Sequence, residues 1–164
     1  MNSLPSAHEA IIPQPTSDGG IEHTAAQFLP PSFWLSKARS GEIVLFPPQF
    51  FLLHLISPFL SPEGSSDTMN SEELSRRRQS LIDFVKTGSP SWSDKCISPS
   101  TLLFRKKDQR SILALDKPGL ELERSSKGGD SERVILVKFS KEGPTNVEVA
   151  WKKDILQEER EQKL

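Results

Sequence analysis

The segment from Phe46 to Leu60 constrains this chain more than any other. Pro47-Pro48 suits the first turn of a helix, where backbone amides lack intrahelical partners. Phe50, Phe51, Leu53, His54 and Leu55 then make that helix apolar on most of its faces until Pro58, which is expected to end it. Such a helix has to be buried against something sizeable. It is about fifteen residues long and broken by three prolines, too short to cross a bilayer, which takes about 20 apolar residues. If the strands that cover it were missing, Phe50, Phe51, Leu53 and Leu55 would stay partly exposed. The chain would then associate with itself or with a partner over residues 46–60.

Composition says how much core there is to do the covering. Of 164 residues, 35% are hydrophobic, and there are 13 prolines and no tyrosine. That is a lean core with long irregular stretches beside it. Lysine and arginine number 21 against 22 aspartates and glutamates, so no global field holds nucleic acid or an anionic membrane surface. Cys96 is the single cysteine, which excludes an internal disulfide framework and fits a reducing compartment. Met1 to Ala10 shows neither the basic nor the apolar region of a secretory signal.

The pattern along the chain predicts an α+β fold. Residues 1–20, with Pro5, Pro13, Pro15 and the turn Asp18-Gly19-Gly20, read as a disordered lead-in. A folded region is expected over 21–152. It opens with an extended run to Phe28, a helix from Pro31 to Arg39 stopped at Gly41, and a short strand Glu42–Phe46. After the apolar helix comes a flexible linker, 61–70, and then a helix from Glu72 to about Thr87. Two strand pairs are expected after residue 100, Thr101–Arg105 with Ser111–Asp116 and Arg133–Ser140 with Asn146–Lys152, forming a mostly antiparallel layer over 100–152. Val147, Val149 and Trp151 alternate with polar or small residues, as a half-buried strand does. The polar stretch 124–132 is read as a mobile loop and 153–164 as a charged helical tail.

No residue pattern signals catalysis. The chain lacks a phosphate-cradling Gly-rich loop, a His pair at metal-ligand spacing and a nucleophile elbow. His8, His23 and His54 are scattered; His54 is read as a packed core histidine and Cys96 as a small buried residue. Arg76-Arg77-Arg78 with Arg105-Lys106-Lys107 forms a candidate phosphate patch, although such runs are commonly solvated surface. Glu22-His23 is a poor metal pair, because neighbours on a strand point to opposite faces.

Order and spacing carry a resemblance where single motifs do not. Glu22 and Gln27, then Pro31-Ser32 at a helix start, then Gly41 to Phe46 leading into Pro47-Pro48-Gln49-Phe50, resemble the C-terminal half of a Nudix hydrolase. The branch is that of the peroxisomal coenzyme A diphosphatases. A weaker likeness continues through Leu113–Pro118 and Arg133–Val137 to Asn146–Val149. The resemblance implies a partial Nudix-like fold, with short helices in 31–87, and puts Glu22, Pro47, Pro48 and Gln49 on the substrate side. The complete family hydrolyses coenzyme A or nucleoside diphosphate derivatives with Mg²⁺ or Mn²⁺ held by a glutamate-rich helix, the Nudix box. No such box stands in this sequence: Glu72-Glu73 is followed by Leu74-Ser75-Arg76. The chain is therefore expected to be the C-terminal part of a Nudix-type diphosphatase, inactive alone and without catalytic or metal-binding residues or a cofactor of its own. The alternative is a non-catalytic protein-interaction module that docks through the arginine helix and the apolar helix. The expected address is cytoplasmic, with the peroxisome second, because Gln162-Lys163-Leu164 keeps the basic-Leu end of a peroxisomal signal.

Overall fold

A computed structural model describes residues 27–60 and 71–162 of the chain. The expectations for 1–20, for the linker 61–70, and for Glu22, Lys163 and Leu164 fall outside these residues.

Helix α1, Pro31–Ser40, begins where the sequence puts it. Pro31 occupies the first turn, and the Phe33 N–H reaches the Pro30 carbonyl at 3.0 Å. Gly41 ends the helix in the left-handed region at φ 79, and the Glu42 N–H closes back on the Lys37 carbonyl at 2.9 Å. The stretch 42–46 forms no strand. Ile43 and Leu45 pack against the core while Val44 stays exposed, so the alternation is real. It records which side chains turn inward and is silent on whether a ladder partner lies alongside.

Helix α2, Pro47–Leu60, runs two residues past Pro58. Pro58 has no N–H to offer the His54 carbonyl and its ring crowds that carbonyl, and the helix ends within two residues of it. Phe50 and Phe51 are fully buried, which overturns the expected exposure of both; Leu53 and Leu55 are half-buried. Helix α3, Ser71–Val85, meets α2 through the tilted ring pair Phe59 and Phe84, 5.1 Å between centres, and Phe84 stacks in turn on Trp92 at 5.5 Å.

Strands β1 (Ser100–Arg105), β2 (Arg110–Leu115), β3 (Asp130–Ser140) and β4 (Gly143–Trp151) form one antiparallel sheet in the order of the chain. Asp130 to Glu132, read as loop, belong to β3. Gly129 just before them passes so close to the Leu115 carbonyl that no side chain fits. The sheet is covered on both faces, which explains the continuous apolar runs Ile112–Leu115 and Val134–Val137. Leu113, Leu115, Ile135, Val137 and Val147 meet Leu35 of α1 and Phe50 and Phe51 of α2. Ile112, Val134 and Leu136 meet Ile155 on the other side. Ile155 belongs to helix α4, Lys152–Glu161, so the charged end of the chain is a layer of the fold and more than a tail. The architecture is α+β, and no helix among the described residues is long and apolar enough to cross a membrane.

Candidate anion-binding groove at His54

The prolines and glutamine singled out by the sequence start α2. Pro47 is buried, Pro48 half-buried, and the exposed Gln49 turns back so that its Oε1 accepts the Phe46 backbone N–H at 3.1 Å. This is the reciprocal half of a capping box. Gln162 is exposed at the end of α4, its N–H donating to the Glu158 carbonyl at 3.2 Å.

The candidate phosphate patch does not assemble. Arg76 and Arg77 both bind Glu73 on their own helix. Arg105 is turned inward to Asp108 and is 5% exposed. Asp108 also takes Arg110, which reaches Glu148 at 2.7 Å, while Glu158 of α4 takes Lys107 at 2.8 Å and Arg105 at 3.5 Å. Three cations thus face three carboxylates, and this network is neutral. Asp108 is held far below the ordinary carboxylate range, chiefly by hydrogen bonds from Arg105.

A different set of charges is unbalanced. Asp130 is fully buried and pairs with Arg133 at 3.0 Å and with Lys95 at 3.7 Å. The Arg133 guanidinium lies between two indoles, 4.5 Å from the centre of Trp151 and 5.6 Å from that of Trp92, so it is held by stacking as well as by its carboxylate. Arg39, exposed at the end of α1, lies 5.5 Å from the centre of the Phe50 ring and has no ion-pair partner among the described residues. Two positive charges therefore remain over: Arg39, and one of the Lys95 and Arg133 pair.

His54 lines one hollow with Arg39 and another with Arg133. It is half-buried, which corrects its reading as a core residue, and it borders two hollows. The larger, about 600 Å³, is lined by Arg39, Arg110, Asn146 and Glu148 among others. The smaller, about 230 Å³, is lined by Pro58, Arg133, Val149 and Trp151 among others. The two share His54 of α2 and Val149 of β4 and make one groove between these elements. Burial, and then the charges of Arg39 and Arg133, push the His54 pKa below its ordinary value, so the ring is neutral near pH 7. Cys96 is likewise half-buried; it lines neither hollow.

Sequence reasoning missed Arg39, Arg133 and Trp151 as site residues. They sit on three elements far apart in the chain, and no local pattern joins them. Among the described residues no three His, Cys, Asp or Glu side chains converge as metal ligands. These residues do not fit the Mg²⁺ or Mn²⁺ of the Nudix family, and no chemical step is derived through such an ion. The geometry suits binding: guanidinium groups hold phosphate or carboxylate oxygens, and an exposed indole offers a flat apolar surface beside them.

Comparison of the chain with protein-family models, with curated proteins and with solved structures finds no match.

Proposed function

We propose that this chain is the substrate-side, C-terminal part of a Nudix-type diphosphatase and that the His54 groove receives the phosphate groups of a coenzyme A or nucleoside diphosphate derivative. The observation that carries the reading is Arg39, without an ion-pair partner among the described residues, together with Arg133, which shares the one carboxylate of Asp130 with Lys95 and lies beside Trp151, in a chain whose overall charge is −1. The order of residues from Gln27 to Phe50 supplies the family. Catalysis is no part of the proposal, because the sequence holds no Nudix box. Incubation with coenzyme A and Mg²⁺ or Mn²⁺ is expected to release no 3′,5′-phosphoadenosine product. Metal-dependent release, abolished by a chelator, contradicts the reading. A cytoplasmic address goes with it, and a fluorescent protein ending in residues 153–164 tests the peroxisome as the second.

A second reading, a non-catalytic interaction module, is favoured by one observation. Phe46, Phe104 and Phe139 are 59%, 57% and 56% exposed although their neighbours fill the core. Sedimentation over a range of concentrations tests it: association supports a module that docks through apolar surface, and a monomer throughout argues against one.

A further inference from the structure

His54 and Val149 line both hollows, and among the described residues that line them the His54 ring nitrogens are the only groups able to gain a charge near neutral pH. Every charged group that lines the groove with it bears on that gain. Arg39 of α1 and Arg133 of β3 oppose a third positive charge. Asp108, Arg110 and Glu148 also line the larger hollow, but they are bound to one another, Arg110 donating to Asp108 at 2.6 Å and to Glu148 at 2.7 Å. The free groove thus keeps its imidazole neutral. An anion seated there reverses the balance, since its charge attracts Arg39, Arg133 and an imidazolium alike.

Resting on the reading that the groove receives phosphate groups, we infer that a phosphate- or sulfate-type anion bound beside His54, in the groove that Arg39 and Arg133 also line, draws a solvent proton onto His54, so that the groove binds such anions more tightly as the pH falls. Linkage makes the two statements one: a ligand that favours the imidazolium must itself be favoured by protonation, by up to tenfold in affinity for each unit that it raises the His54 pKa.

The test uses the full chain with inorganic sulfate, whose charge is constant over the range, and with dephospho-coenzyme A, whose diphosphate is also constant. Affinity for sulfate is expected to rise about threefold or more from pH 8 to pH 6. The His54 ring-proton signal, assigned by its loss in His54→Gln, should titrate at higher pH with sulfate than without. His54→Gln should bind with the same affinity at both pH values, and Arg39→Gln should bind several-fold more weakly at both. Equal wild-type affinities at the two pH values, an unmoved His54 titration, or no sulfate binding at either pH overturns the inference. Dephospho-coenzyme A separates it from the functional reading. If sulfate binds with the expected pH dependence and dephospho-coenzyme A does not bind, the reading fails and the inference stands. If dephospho-coenzyme A binds equally at both pH values, the inference fails and the reading stands.

Discussion

Gln49 shows how a single residue takes its meaning from its hydrogen bond. It lies in the segment that resembles a substrate-side motif, yet its amide oxygen is occupied by the Phe46 N–H and it lines neither hollow. Gln49→Ala is expected to cost about 0.5–1 kcal/mol of stability, the worth of a helix cap, with affinity for coenzyme A unchanged. Urea unfolding and a binding titration check both halves. Asp108 has a larger role, since it neutralises the nearly buried Arg105 and leaves it, when removed, only Glu158 at 3.5 Å. Asp108→Asn should cost about 2–3 kcal/mol. The acid dependence has a definite sign. The folded-state pKa of Asp108 is depressed, so its stabilising contribution is complete above the unfolded value of about 4 and is lost as the pH falls toward the folded one. Between pH 5 and pH 2.5 the wild type should therefore lose more stability in urea than Asp108→Asn does.

At the scale of elements, much of this fold was legible. Pro31 and Gly41 bracket α1, the apolar run of α2 required burial, and turn residues separated the four strands. What misled was local evidence for a property that is not local. Glu42 to Phe46 alternates like a strand but finds no neighbour to pair with, and 130–132 is polar like a loop although Asp130 is buried in an ion pair. Helix α4 is the clearest instance, because its charged sequence hides the one side chain, Ile155, that closes the second face of the sheet. Ile155→Ala is expected to cost about 2–4 kcal/mol, the usual penalty for emptying a buried aliphatic site. If α4 were only a tail, thermal unfolding of the variant would match the wild type.

At the scale of the whole molecule the candidate site was the least legible part. Net charge near zero speaks against a general polyanion binder, and for the same reason it conceals a local excess. Of the arginine runs that drew attention, Arg76 and Arg77 share Glu73 and Arg105 turns inward to Asp108, while Arg39, isolated in sequence, has no ion-pair partner among the described residues and Arg133 shares the one carboxylate of Asp130 with Lys95. Folding decides which cations are left over, because it decides which carboxylates are within reach. The central claim is that this surplus makes a phosphate-binding groove at His54. Backbone amide signals followed during titration with coenzyme A test it most directly, with Arg39→Gln alongside. The expected result is a saturable shift at His54, Val149 and Trp151 and several-fold weaker binding in the variant; shifts confined to α3, or none at all, would contradict it.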